Sequence, residues 1–482
     1  MEGALNVAIV GGGAAGLFAS LLLARAGHKV FVFEQDRLEP APDVESAATS
    51  AFRSTAPQIV QPHIVMAKCR ELLLEHLPDV YDELVAAGVA EAPLSTQMPA
   101  SLADTAARPG DERLMLLMTR RSTIDWVLQR AILAQPGVTL HCGVRVIGLL
   151  AVPGEPPHVT GVRTTQGDLP ANLVIDATGR RSPIDRWLKE IGAQSTATWW
   201  AECGLTYYSR HYRLREAAEL PAPPTTRIVA ALDEFTVGIW GADNGTMQLA
   251  VVPLAKDHRF KTLRYPEVFT AVLHAIPTYA AWLDVLDPIS DVFPMGAVRN
   301  TMRRLIVGGA PVATGLVAIG DAVCTTNPTL GRGLTLALSG AADLLETIDK
   351  HGNDWRAQAV ALDELVADHV LPFYEDQAAI DCARLAMLRH KIFDAPPPAP
   401  GPAISDRVTF AQLRTAALFH PTAFHAFWKI MGMISRPDEV YTDPHVVACT
   451  QEVLHHHGSG PSMAQPTREQ LLVALARAGN HD

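Results

Sequence analysis

The sequence predicts an α/β fold in three parts: a parallel-sheet βαβ unit at the N-terminus, an antiparallel sheet in the middle and a helical C-terminal region. Three observations predict it. The run Ala8-Ile9-Val10-Gly11-Gly12-Gly13-Ala14-Ala15-Gly16 is followed by Val30-Phe31-Val32-Phe33-Glu34. A second glycine-closed run, Gly315-Leu316-Val317-Ala318-Ile319-Gly320-Asp321-Ala322, lies far downstream. Between the two, residues 199–212, 226–232, 235–241 and 246–252 are rich in aromatic and β-branched side chains, which suit a pleated surface.

The N-terminal unit has a mechanical reading. Val7 to Val10 is a short apolar run suited to a buried parallel strand. Gly11, Gly13 and Gly16 then fall at G-x-G-x-x-G spacing. The first glycine makes the tight turn, the second lets backbone approach a pyrophosphate, and the third lets helix pack closely on strand. Ala14 and Ala15 open the helix whose N–H groups receive the phosphates. That helix runs through Leu17 to Ala24 and stops near Gly27. The strand Val30 to Phe33 ends in Glu34, placed with Gln35 to meet ribose hydroxyls.

The rest of the chain follows in order. Residues 37–62 are polar and proline-punctuated, which reads as an extended loop system. Residues 64–90 carry helical apolar spacing at Leu72, Leu73, Leu77, Val80, Leu84 and Val85, with Pro78 dividing two helices. Residues 122–135 form another helix, and 138–150, 158–166 and 171–176 read as strands, the last ending in Asp176-Ala177-Thr178-Gly179. Asn244-Gly245 marks a hairpin turn in the aromatic-rich section. A helical stretch at 266–284 precedes the return through Leu305-Ile306-Val307 and Leu316 to Ile319. Residues 333–393, 406–434 and 467–478 are helical, and Ala395 to Pro402 is a connector. The division predicted is 1–190 and 301–350 for the nucleotide-binding domain, 191–300 for the sheet domain and 351–482 for the helical region.

Composition bounds the function. The chain has 482 residues, 48% hydrophobic and 19% charged, with a formal net charge of -11. That balance suits a globular protein of two or three domains and argues against a general nucleic-acid binder. The first strand begins close to Met1, with no basic n-region or cleavage site, so no secretory signal is read. The helix after Gly16 is interrupted by Arg25 and too short to span a bilayer. The six cysteines form no C-x-x-C and read as free thiols in a reducing cytoplasm. His455-His456-His457 lacks a partner at ligand spacing and reads as a solvated loop, so no metal site is expected.

The downstream motif completes a cofactor. A strand ending in Gly320-Asp321 puts a carboxylate where it can bond a ribityl chain. Asn327-Pro328-Thr329-Leu330-Gly331-Arg332-Gly333 and the helix from Leu334 to Leu345 follow. Gly331 and Gly333 allow close approach to an isoalloxazine edge, and the helix N-terminus stabilises negative charge on a reduced flavin. The two motifs together point to FAD in a Rossmann-like domain.

The segments GGGAAG, DATGRRSP and GLVAIGDAVCTTNPTLGRG occur in an order that resembles FAD-dependent monooxygenases of the para-hydroxybenzoate hydroxylase structural class. The texture is closest to bacterial polyether-pathway epoxidases and squalene-epoxidase-like enzymes. PQIVQPHIVMAKCRELLLEHLPDVYDELVAAGV and DATGRRSPIDRWL extend the likeness, which covers most of the chain and weakens between about 195 and 300, where substrate is expected. The resemblance implies that Gly11, Gly13, Gly16 and Glu34 hold the ADP half, that Arg121 contacts the cofactor, that Asp321 binds the ribityl chain, and that Pro328, Gly331 and Gly333 form the flavin-edge loop. Asp176, Gly179, Gly320 and Arg332 complete the cofactor-facing set. Thr178 stands where the hydroxylases carry an acid, and no second G-x-G-x-x-G is present, so the electron source is NAD(P)H or a partner flavin reductase.

The chemistry implied by the resemblance is transfer of one oxygen atom from a flavin C4a-hydroperoxide to an apolar or aromatic small molecule. Epoxidation requires no acid/base residue, and no catalytic side chain is assigned. Trp199, Trp200, Tyr207, Tyr208 and Trp240 are expected on the substrate sheet as core or pocket residues, and His63 as a structural histidine that could face the flavin. Competing readings are a flavin-dependent halogenase, a geranylgeranyl-reductase-like dehydrogenase, and a non-enzymatic binder. The halogenases' Trp-x-Trp-x-Ile-Pro segment is absent, and Lys68 lies on a helix without a supporting motif.

Overall fold

In a computed structural model, the residues described are 3–479 except 40, 54, 222–226, 232–234, 297, 399–405 and 459–465. Five parallel strands form the central sheet, in the order Leu316–Ala318, Leu173–Asp176, Asn6–Val10, Lys29–Glu34 and Val138–Cys142. Alternating residues of the first strand feed opposite faces: Val7 and Ile9 enter one core, Ala8 and Val10 the other. The helix Ala14–Arg25 is buried on nearly all sides, between the helices Arg121–Ala134 and Gly333–His351. Glycine makes this close packing possible. A Cβ on Gly16 would sit 2.0 Å from the Gly11 carbonyl oxygen. Gly11 itself has φ +113°, and its Cβ would lie 2.4 Å from the Ala177 carbonyl oxygen.

The antiparallel sheet of the middle region runs in the order Arg227–Ala231, Phe235–Gly241, Thr246–Pro253, Tyr207–Leu214 and Leu286–Pro288, with Phe293–Met295 pairing beside the last on Tyr207–Leu214. Asn244, at φ +53°, turns the hairpin between its second and third strands. The helices Pro266–His274 and Pro277–Leu283 cover one face. The helix Arg468–Gly479 joins them through Leu471 and Leu475, while Phe410, Leu413, Phe424 and Trp428 of the C-terminal helices pack with Leu114 and Leu116 in a separate core.

Several expectations are corrected. The 138–150 run is two strands: Val138–Cys142 in the parallel sheet and Val146–Val152 in a separate antiparallel sheet. The 37–62 region contains the helix Val44–Thr49, capped by Asp43. The 64–90 stretch begins with the strand Ile64–Val65 before the helices Ala67–His76 and Pro78–Ala86. Trp199 and Trp200 are not on the middle sheet. Their strand, Ala197–Glu202, pairs with Arg299–Arg304, and both rings are exposed. His455 to His457 close the helix Pro444–His457 rather than forming a loop, and His457 stacks on Phe419. The connector expected at 395–402 lies partly outside the described residues. Among the described residues, no helix is long and apolar enough to cross a membrane.

Candidate functional site

Two motifs far apart in sequence meet at one point. The turn Gly320–Ala322 follows the strand Leu316–Ala318, and a Cβ on Gly320 would lie 2.6 Å from the Ala15 Cβ. The absence of that side chain lets the downstream turn rest on the first residues of the N-terminal helix. Asp321 is thereby carried to the wall of a cavity of about 2260 Å³ that also includes Gly13, Ala14 and Ala15.

The cavity brings together Gly13, Ala14, Ala15, Arg121, Gly179, Asp321, Pro328, Gly331 and Gly333 from the sequence-derived set. An added Cβ at Gly13 or Gly333 meets nothing within 4 Å, so backbone at both positions is open. Gly333 begins the helix Gly333–His351, whose N-terminal end therefore opens on the cavity. No described side chain donates a hydrogen bond to the Asp321 carboxylate. Burial raises its pKa, opposed by the positive charges of Arg121 and Arg180. Arg121 is paired with Asp125 at 2.7 Å.

Gly11, Gly16, Glu34, Gln35, Asp176, Gly320 and Arg332 are not on the cavity wall. Glu34 is buried at the end of its strand, accepting from the Gly12 N–H at 2.9 Å and the Asp36 N–H at 2.8 Å and pairing with Arg53 at 2.9 Å. Gln35 is exposed beside it. The Asp176 carboxylate is fully engaged within its own turn, by the Thr178 N–H at 2.9 Å and by the Thr178 and Ser182 hydroxyls. It positions Gly179 and Arg180 instead of reaching the cavity. Arg332 corrects the expectation more sharply. Its guanidinium is buried, donates to the Phe373 carbonyl at 2.7 Å and pairs with Asp376, which also accepts from Tyr441 at 2.6 Å. The loop arginine anchors its loop to the helix Leu371–Phe393.

The far wall comes from the antiparallel sheet and the C-terminal helices. Tyr207, Trp240, Ala250 and Val252 line it from the sheet, while Tyr208, on the other side of its strand, joins the core. Met387, Phe410, Phe427 and Trp428 line it from the helices. His63 is on the wall, with its Nδ1 2.9 Å from the Gln61 carbonyl oxygen. Burial, reinforced by the Arg121 charge, pushes its pKa down to about 4, so the ring is neutral at physiological pH.

Two buried polar networks that motif reading missed hold these walls in register. Asp243, in the hairpin turn, accepts from the Arg120 backbone at 2.7 Å, from its Nε at 2.8 Å and from the Thr123 hydroxyl at 2.9 Å. This fixes the sheet to the start of the helix bearing Arg121. The second joins sheet, loop and helix: the Tyr207 hydroxyl donates to the Asn327 side chain, and Asn327 and Asn300 each donate to buried Asp381 at 2.8 Å. The partners lie too far apart in sequence for spacing to signal them.

Comparison with known proteins agrees with this architecture. Residues 9–38 match the model of the NAD(P)-binding Rossmann-like domain. The chain is 25% identical over 386 residues to protein Rv3254 of Mycobacterium tuberculosis, covering 74% of this chain and 75% of that protein. Among solved structures it resembles pqsL, a probable FAD-dependent monooxygenase from Pseudomonas aeruginosa, with TM-score 0.56, 16% identity, and coverage of 81% of this chain and 100% of that one. It also resembles the flavin-dependent brominase Bmp2, with TM-score 0.58, 14% identity and coverage of 94% and 98%. The chain thus has the FAD-binding fold found in flavin-dependent monooxygenases and halogenases.

Proposed function

We propose that the chain is an FAD-dependent monooxygenase that inserts one oxygen atom, by epoxidation or hydroxylation, into an apolar or aromatic small molecule. The observation that carries this reading is the single cavity of about 2260 Å³ running from Gly13 and Asp321 to the aromatic wall of Trp240, Phe410 and Phe427. It is more than twice the ~1,000 Å³ upper range of a single small-molecule site, which leaves room for a substrate beside a cofactor.

The residues present fit FAD. The open backbone at Gly13 suits a pyrophosphate, while Glu34, off the cavity wall and engaged by Arg53 and two N–H groups, braces the turn beside it. Asp321, whose carboxylate has no partner among the described residues, suits the ribityl hydroxyls. The loop Pro328–Gly333 suits the ring, with the helix N-terminus at Gly333 favouring negative charge there. Bound and reduced, FAD supplies the activation of dioxygen. The chain's own contribution is to bind, orient and exclude water: the aromatic wall keeps the reacting space apolar, and neutral His63 adds a hydrogen-bonding group without a charge.

A halogenase reading is favoured by the likeness to Bmp2. Against it, Lys68 is off the cavity wall, with its ammonium 3.9 Å from Glu71. The likeness to polyether-pathway epoxidases rests on sequence texture and favours an alkene substrate. The test has two arms. Purified protein is expected to be yellow and to release FAD on acid precipitation, and colourless protein that cannot be reconstituted with FAD overturns the assignment. With reduced FAD, oxygen and bromide, phenol red is expected to remain unbrominated; its bromination transfers the chain to the halogenases.

A further inference from the structure

We infer that the substrate of this cavity carries a carboxylate, held by Arg414 and Arg384 beneath the C-terminal helices, with its apolar body directed toward the flavin-edge loop. The inference rests on the proposed flavoenzyme reading for what happens to that body, but the anion site stands on its own residues.

The wall is mainly apolar, so its charges stand out. Several already have partners. Arg121 pairs with Asp125 at 2.7 Å and Arg436 with Asp438 at 3.0 Å. Arg407 stacks over Tyr441 at 5.5 Å. Arg414, on the helix Phe410–Ala416, differs. It lines the cavity, is exposed there, and has no hydrogen bond or ion pair with any described residue. Arg384, on the helix Leu371–Phe393, lines the same cavity. One of its terminal nitrogens pairs with Asp381, but its Nε is buried with no hydrogen-bond partner. Asp381 cannot serve both cations, because Asn300 and Asn327 also occupy its oxygens.

The electrostatics point the same way. Desolvation lowers the pKa of Arg414, and the charge of Arg384 lowers it further. A guanidinium does not lose its proton in a protein, so Arg414, exposed at the cavity wall with no counter-ion among the described residues, offers a fixed positive charge to an anion that enters. A carboxylate matches that need in charge and in geometry, since its two oxygens accept parallel N–H bonds from an arginine fork. Glu375 does not fill the role for Arg384: it lies nine residues earlier on the same helix, about 13 Å along the axis. Near the flavin-edge loop, Arg121 is paired with Asp125 and the charge of Arg180 is offset by Asp321, so the uncompensated positive charge lies at Arg414 and Arg384.

The test compares two probes with the same apolar body, 1-pyrenebutyrate and 1-pyrenebutanol, by equilibrium dialysis against the FAD-loaded protein. The butyrate is expected to bind at least tenfold more tightly. Arg414→Gln should remove about tenfold of its affinity and leave the alcohol unchanged, and Arg414→Lys should restore part of the loss. Arg384→Gln provides a second variant with the same expected split, and thermal melting verifies that each variant is folded. Equal affinities for the two probes, immeasurably weak binding of both, or a loss in Arg414→Gln that affects both equally overturns the inference. Flavin absorbance is recorded on the same samples. Protein that takes up no FAD but still prefers the butyrate contradicts the flavoenzyme reading and leaves the carboxylate site standing.

Discussion

Asp321 is a half-buried acid with no side-chain partner among the described residues, at the point where two distant motifs touch. Asp321→Ala is expected to weaken FAD binding by about 1.5–3 kcal/mol, the worth of a hydrogen bond to a charged group. Flavin titration measures it, and unchanged affinity would mean that the carboxylate does not touch the ribityl chain. His211 makes a different kind of prediction. Burial pushes its pKa down to about 4, while its Nε2 lies 3.0 Å from the Val60 carbonyl oxygen. The unfolded chain protonates this histidine near pH 6.5 and the folded protein does not. The unfolded state therefore binds more protons between those values, and stability falls as pH drops from about 6.5 to about 4. The full loss is about 3 kcal/mol for this group. Urea unfolding at both ends of that window should show a shallower acid loss in His211→Gln, and an unchanged slope would remove His211 as a source.

The loop Pro328–Leu330 and the residues after it are held by ions, not by packing alone. Arg332→Met leaves Asp376 buried with Tyr441 as its remaining partner and is expected to cost about 3–5 kcal/mol of stability. A loss of this size appears in the urea midpoint; a change below 1 kcal/mol would show that the ion pair does not anchor the loop. Local features of this kind divide into legible and illegible ones. The N-terminal βαβ unit was readable because strand, glycines and terminal acid are contiguous. The destination of Arg332 was not, because its acid lies on another helix 44 positions away. Strand partners were equally hidden: aromatic and β-branched content marks Ala197–Glu202 as a strand but cannot say that it pairs with Arg299–Arg304. The helices Pro437–Thr442 and Pro444–His457 did carry signals, a proline in the first turn of each and the Asp443 cap on the second.

The parallel sheet and the glycine turn present a nucleotide end, the antiparallel sheet and C-terminal helices close an aromatic end, and the Asp243 and Asp381 networks hold the two together. The altered acid position at Thr178 and the single G-x-G-x-x-G unit lead to the expectation that NADPH alone reduces the flavin slowly and that a flavin reductase accelerates turnover. Stopped-flow mixing with NADPH tests it, and rapid reduction without a partner would contradict it. The central claim, oxygen activation within this cavity, has a more direct test. FAD-loaded protein is reduced without oxygen and then mixed with oxygenated buffer while the flavin spectrum is followed. Reoxidation in two phases, through a transient spectrum belonging to neither reduced nor oxidised flavin, is the predicted result; a single phase leading straight to oxidised flavin would contradict the monooxygenase reading.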